Sequence, residues 1–184
     1  MQQKSKLRKK YLKIRKENYF EIDKNFFSPL YKLIKKNIKK KSIIIALYYP
    51  SNFELNVLKV LDLKYFLDQM ILLPVVEKNN SMNFYQWKKN DVLTVNEFGI
   101  LEPIKAEAKI PDLILVPLLA FDKDKFRLGY GKGYYDRYLN KYIKQYKDIM
   151  TVGVAFSFQK HNKLPINKND VKLDFILTEK GIYK

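Results

Sequence analysis

Asp112-Leu-Ile-Leu-Val-Pro117, followed ten residues later by Arg127-Leu-Gly-Tyr-Gly-Lys-Gly-Tyr-Tyr-Asp136, decides how this chain folds. The first stretch is short and apolar between polar or rigid ends, the pattern of a strand buried on both faces. The second runs into residues 133–146, where Tyr134, Tyr138, Tyr142 and Tyr146 recur every fourth position and share one helical face. Strand, loop, glycine run and helix in that order form one unit of an α/β architecture. Working outward, 42–49, 70–76, 82–87, 150–156 and 175–178 read as further strands, with 82–87 at an edge. Residues 3–17 read as a helix with Leu7, Tyr11 and Ile14 on one stripe. A second helix is expected over 25–39, with Phe26, Phe27, Leu30, Leu33, Ile34 and Ile38 inward. A third is expected over 54–67, with Leu55, Leu58, Leu61 and Tyr65 on one face. Residues 88–111 read as mostly irregular, broken by Asn96, Gly99 and Pro103. The expectation is one domain over 1–184, a largely parallel sheet flanked by helices on both faces in Rossmann-like layers.

Composition narrows the function classes. At 184 residues, 47% hydrophobic and 15% aromatic, the chain can bury a sizeable core. No apolar run reaches the length of a membrane span, and no apolar segment follows the basic N-terminus as a secretory signal requires. A cytoplasmic location and no membrane partner are therefore expected. The absence of cysteine excludes disulfides, thiolate metal sites and cysteine nucleophiles, and the one histidine, His161, excludes a histidine-rich metal centre. The net charge is +17, and residues 1–41 carry 15 cationic against 3 acidic side chains. Of the 36 cationic residues 32 are lysine, which reads as lysine spread over solvated faces rather than a nucleic-acid footprint.

The glycine run carries the chemistry. Alternate glycines let backbone N–H groups turn toward a ligand that comes close, and Arg127 and Lys132 can neutralise phosphate charge. A helix starting near Gly133 points free N–H groups at an anion, beyond the carboxyl end of a strand. The spacing G-x-G-x-G is neither the dinucleotide fingerprint nor a P-loop, since Lys132 is followed by Gly133 instead of Ser or Thr. Asp136 reads equally as a helix-start charge favoured by the dipole and as a ligand for a phosphate-bridging Mg2+.

With Ala120-Phe121-Asp122 between them, these two stretches resemble the 5-formyltetrahydrofolate cyclo-ligase family, also called 5,10-methenyltetrahydrofolate synthetase. Lys4-Ser-Lys-Leu-Arg8 is similar to the family's K-x-x-L-R, and Phe98-Gly-Ile-Leu-Glu-Pro103 to its F-G-I-x-E-P segment. The strand leading to Glu54, then 152–156, Gln159, Leu164-Pro165 and 169–174, match in order, so the likeness spans the whole chain. Residues 55–57 read Leu-Asn-Val where V-D-T is commoner, and Asn169 stands where a histidine is frequent.

The resemblance implies ATP- and Mg2+-dependent closure of 5-formyltetrahydrofolate, polyglutamylated forms included, to 5,10-methenyltetrahydrofolate with release of ADP and phosphate. It implies ATP as co-substrate and Mg2+ as the metal. For ATP it points to Lys4, Arg8, Arg127, Leu128, Gly129, Tyr130, Gly131, Lys132, Gly133, Tyr134 and Tyr135. For folate it points to Tyr49, Glu54, Met82, Phe98, Tyr130, Lys132 and Tyr134, and for the metal to Asp136 and Asp170. Arg127, Lys132 and Tyr135 are the expected catalytic group, and a monomer is expected. Two rivals are a basic nucleic-acid-binding protein, which leaves the glycine run without a role, and an ATP-binding relative without folate chemistry. Glu54 separates the second from the main reading, because a carboxylate suits the paired N–H donors of a pterin edge.

Overall fold

A computed structural model of the chain describes residues 2–146 and 148–184. Helix α1 (Gln2–Asn18) is followed by a 3-10 turn, Lys24–Phe27, which the Asp23 carboxylate caps by accepting the Asn25 N–H at 2.8 Å. Helix α2 (Ser28–Asn37) starts at once, with Pro29 in its first turn where the missing N–H costs nothing. Strand β1 (Ile44–Ala46), helix α3 (Lys64–Leu67), β2 (Met70–Val76) and β3 (Met82–Gln86) come next. Then follow β4 (Leu93–Val95), β5 (Leu101–Pro103), β6 (Leu113–Pro117), β7 (Ala120–Phe121) and β8 (Arg127–Leu128). Helix α4 (Tyr134–Gln145) and strands β9 (Met150–Val154), β10 (Phe175–Thr178) and β11 (Gly181–Tyr183) complete the order.

Seven strands form the central sheet in the order β11-β10-β9-β6-β1-β2-β3. The five inner strands are parallel, in registers such as Ile45↔Leu113 and Leu115↔Val152, while β3 and β11 are antiparallel edges. The two-residue period of each strand sorts its side chains onto the two faces. Ile45, Leu113, Leu115, Val152, Val154 and Leu177 pack with Leu30, Leu33 and Ile34 of α2 in one apolar layer. Ala46, Leu72, Ile114, Val116 and Ile176 pack with Tyr138 and Leu139 of α4 in the other. Gly153 in β9 admits this second layer, because a Cβ there would lie within 3 Å of Ile176, Leu118 and Leu173 side chains. The expected largely parallel sheet, covered on both faces, is what the chain builds.

Four stretches depart from expectation. Residues 54–67 are not one helix but a 3-10 segment, Val57–Asp62, and the single turn of α3, separated by extended Leu63 at φ −93°, ψ 125°. Asn56 caps the 3-10 segment by accepting the Leu58 N–H. The β-branched Val57 and Val60, three apart, stack on one side of it and are fully buried. Residues 88–111 hold the hairpin β4–β5, with Leu93 opposite Pro103, which no alternating apolar pattern announces. Strand β11 and the ribbon β7–β8 are likewise too short for a pattern to carry.

The topology prepares a site. From the adjacent pair β1 and β6 the chain proceeds in opposite directions, β1 to β2 and β6 to β9. The loops leaving their carboxyl ends therefore diverge and open a crevice, the usual ligand position in such sheets. Helix α1 does not cover a sheet face. Its Tyr11, with Leu7 and Ile14 beside it, packs on Leu119, Ala120, Leu128 and Leu164 around the β7–β8 ribbon at that same end.

Candidate active site

The ribbon β7–β8 fixes where the glycine run begins. Phe121 pairs with Arg127, and the buried Asp122 carboxylate accepts N–H groups of Asp124, Phe126 and Leu164. Beyond Leu128 the chain needs φ of +107° at Gly131 and +71° at Gly133, a region where only glycine is unstrained. Gly133 precedes the first residue of α4. Among the described residues, no backbone N–H from 130 to 133 is paired with a protein acceptor, so this turn offers its donors outward.

Guanidinium groups lie against all three glycines of the run. A Cβ on Gly129 would sit 2.5 Å from Arg127 Nη1, one on Gly131 3.1 Å from Arg8 Cζ, and one on Gly133 2.9 Å from Arg137 Nη1. Arg8 Nε also donates to Gly129 O at 2.9 Å. Arg15, the fourth arginine, donates from Nη2 to the Tyr130 hydroxyl at 2.7 Å. In a chain whose cations are overwhelmingly lysine, every arginine meets this loop. Planar guanidinium forks suit close, multidentate recognition of phosphate and carboxylate in a way that an ammonium does not.

Each of the two acids expected at the metal site lies against one of the expected ATP cations. Arg127 Nη2 is 2.9 Å from Asp136 Oδ1, and Lys4 Nζ is 2.5 Å from Asp170 Oδ2. Asn140, one turn beyond Asp136, donates to Asn169 O at 2.9 Å and so ties α4 to the Asp170 segment. Among the described residues, no group of three or more His, Cys, Asp or Glu is placed to hold a metal ion. Two carboxylates are the kind of donor set that suits Mg2+, which completes its shell with phosphate oxygens and water and seldom takes an all-protein cage.

Glu54 comes from the loop after β1. Asn52 and Phe53 precede it with φ of 49° and 61°, a left-handed pair uncommon outside glycine and a form of backbone strain that gathers at functional loops. This bend buries Glu54, leaving the residue 8% exposed. Oε2 accepts the Ser51 N–H at 2.9 Å, and Oε1 accepts the Tyr130 hydroxyl at 2.5 Å. Burial pushes the Glu54 carboxyl above its ordinary range, opposed by Tyr130, the nearby Arg15 charge and Ser51. Burial likewise pushes the Tyr130 hydroxyl up, so it stays a proton donor to Glu54.

The remaining residues divide by place. Lys132 Nζ lies 5.3 Å from the Phe98 ring centroid, and Phe98 is 6.2 Å from Tyr134, so the β4–β5 hairpin reaches the glycine run. Arg137 covers the other ring, 5.2 Å from the Tyr134 centroid. Tyr135 packs beneath Arg127, whose Cζ is 5.6 Å from its ring, and its buried hydroxyl has no partner among the described residues. Met82 is buried in the apolar layer under α4, and Tyr49 is half-buried against the other layer. Arg15 was not among the expected residues. The signal for it lies in α1, where Lys4, Arg8, Tyr11 and Arg15 follow each other at spacings of four, three and four and so share one face.

The family model described as "5-formyltetrahydrofolate cyclo-ligase family" matches residues 1–179. A fission yeast protein, Schizosaccharomyces pombe "Probable 5-formyltetrahydrofolate cyclo-ligase", is 30% identical over 159 residues, covering 78% of each chain. The NMR structure of Aquifex aeolicus 5,10-methenyltetrahydrofolate synthetase is 34% identical with a TM-score of 0.75, over 98% of this chain and 92% of that one. A 5,10-methenyltetrahydrofolate synthetase structure from Mycoplasma pneumoniae is 29% identical with a TM-score of 0.68, over 95% and 97%.

Proposed function

The chain belongs to the 5-formyltetrahydrofolate cyclo-ligase family, and we propose how its residues convert 5-formyltetrahydrofolate to 5,10-methenyltetrahydrofolate with ATP as co-substrate. One observation carries the reading. The Tyr130 hydroxyl, inside the phosphate-type glycine run, is bonded to Glu54, the carboxylate that suits a pterin edge. A nucleotide cradle and a folate anchor are thereby two walls of one crevice.

The N5-formyl group is an amide, with a poor electrophilic carbon and an oxygen that leaves poorly. Its oxygen attacks the γ-phosphorus of ATP, the bond to the β-phosphate oxygen breaks, and ADP departs. The O-phosphorylated formyl carbon, now conjugated to N5 as an iminium, is attacked by N10. The C–O bond then breaks, phosphate leaves with the N10 proton, and the N5–CH–N10 bridge remains. No protein nucleophile is required; the protein positions two substrates and neutralises the moving phosphoryl group. Backbone N–H groups of Gly129, Tyr130, Gly131, Lys132 and Gly133, with Leu128 beneath them, cradle the phosphates. Arg127 and Lys132 face the transferring group, and Lys4 and Arg8 reach it from α1. Tyr135 holds the Arg127 plane, while Tyr134 and Phe98 bracket the substrate side with Tyr49 and Met82 as apolar walls. Asp136 and Asp170 would hold Mg2+, which neutralises phosphate oxygens when bound. The protein acts as a single-domain monomer in the cytoplasm.

The test follows the methenyl product by its absorbance, starting from 5-formyltetrahydrofolate with ATP and Mg2+ each present, omitted or chelated. Product should form only when both are present. Equal product without ATP, or none from folded protein under every condition, overturns the proposal. The observation that disfavours an ATP-binding relative without folate chemistry is again the buried Glu54, which has no use at a purely nucleotide site.

A further inference from the structure

Arg15 sits where two halves of the crevice meet. It is 1% exposed, and its guanidinium touches three separate loops. Nη2 donates to Asn52 O at 2.7 Å in the strained bend after β1 and to the Tyr130 hydroxyl at 2.7 Å in the glycine run. Nη1 donates to Leu118 O at 3.3 Å, just past β6. The guanidinium carbon lies 5.5 Å from the Tyr130 ring centroid. Arg15 forms no direct salt bridge with Glu54 among the described residues; Tyr130 stands between them. Because an Arg15 N–H occupies a lone pair of the Tyr130 oxygen, the hydroxyl proton is left to point at Glu54 Oε1.

Stability alone does not account for an arginine here. Its Nε is buried without a partner among the described residues, and burying a cation is costly even when other donors are satisfied. Composition argues the same way. Lysine fills 32 of the 36 cationic positions, yet this one holds a fork whose two terminal nitrogens bond three loops at once. A lysine has one nitrogen, so it cannot reach Leu118 O from a second position while also bonding Asn52 O and the Tyr130 hydroxyl, as Nη1 and Nη2 of the guanidinium do together.

We infer that Arg15 is a positioning residue for the folate half of the site: through Tyr130 it orients Glu54, and through Asn52 O it holds the bend that carries Glu54. The inference rests on the reading of Glu54 as the folate carboxylate. Arg15 also lies on the same helical face as Lys4 and Arg8, yet it is bonded toward Glu54 and away from the acids that pair with Lys4 and Arg127. Its loss should therefore act on folate and spare ATP.

The test is steady-state kinetics of Arg15→Lys, Tyr130→Phe and the double variant, beside Glu54→Gln as reference. Arg15→Lys should raise the KM for 5-formyltetrahydrofolate about tenfold, with the KM for ATP within about twofold, since an oriented charged hydrogen bond is lost on one side only. Tyr130→Phe should raise the folate KM as well, and the double variant should be no worse than the worse single, because the two act in series. If Arg15→Lys raises both KM values equally, or if the two single effects multiply, the relay is wrong. If Glu54→Gln leaves the folate KM unchanged, the underlying folate reading fails. A raised folate KM for Glu54→Gln beside an unchanged one for Arg15→Lys overturns the relay alone. Should Arg15→Lys not fold, Tyr130→Phe decides: an unchanged folate KM removes the link through which Arg15 is said to act.

Discussion

Glu54→Gln should raise the KM for 5-formyltetrahydrofolate by roughly two orders of magnitude, with the KM for ATP within about twofold. The carboxylate can accept two N–H groups from one pterin edge, and charged hydrogen bonds contribute about 1.5–3 kcal/mol each, so losing the charge and one acceptor costs about 3 kcal/mol. The protein should stay folded, because glutamine keeps the shape and one acceptor in a place where burial already penalises the charge. Initial rates against each substrate, with circular dichroism of the variant, check this. Equal losses for ATP and folate contradict the assignment. Acidification should act in the same direction. Burial raises the Glu54 carboxyl, so its charge is present above that raised value and lost as pH falls through it, before surface carboxylates protonate.

Asp136→Asn should lower Mg2+-dependent turnover by about 10²–10³, the few kcal/mol that a metal contributes to phosphoryl charge neutralisation. The same change removes the charged partner of Arg127, whose side chain is 4% exposed, so a modest fall in melting temperature should accompany it. The two effects separate in a Mg2+ titration. Lost metal affinity shifts the Mg2+ midpoint upward at a temperature where the variant is fully folded, whereas mere destabilisation does not. An unchanged Mg2+ midpoint and rate would take Asp136 out of the metal site.

What the sequence reveals follows from how locally each feature is encoded. The glycine run and α4 are readable because their signals are contiguous: alternate glycines, then tyrosines at every fourth position, of which Tyr138 and Tyr142 meet in a tilted pair with centroids 4.4 Å apart. The parallel core is readable because strands buried on both faces must be apolar at every position, as all of 113–117 are. The segment 54–67 misleads because its leucines fit a helical stripe while Asn56 and the β-branched valines favour a tighter turn. Hairpin β4–β5 is hidden because its outer residues, including Val95 at 68% exposure, bury too little to leave a pattern. Arg15 is hidden for a different reason. Among thirteen lysines and two arginines in 1–41, the one local signal is that Arg15 shares a helical face with Lys4, Arg8 and the buried Tyr11, and such a shared face alone does not separate a buried cation from a solvated one. Only the fold brings it against Tyr130 and Asn52.

Six cations, Lys4, Arg8, Arg15, Arg127, Lys132 and Arg137, surround or touch the glycine run, opposed there by Asp136, Asp170 and Glu54. On the proposed reading these cations receive phosphate, and the general excess of lysine elsewhere would add a long-range attraction for anionic substrates without choosing among them.

The central claim is that the glycine run delivers a phosphoryl group to the formyl oxygen of folate. The most direct measurement is a single turnover with 5-formyltetrahydrofolate carrying ¹⁸O in the formyl group, followed by mass spectrometry of the released inorganic phosphate. If the formyl oxygen is phosphorylated and then expelled, the label appears in phosphate. Label recovered in water, with unlabelled phosphate released at the same rate as product, would contradict the account.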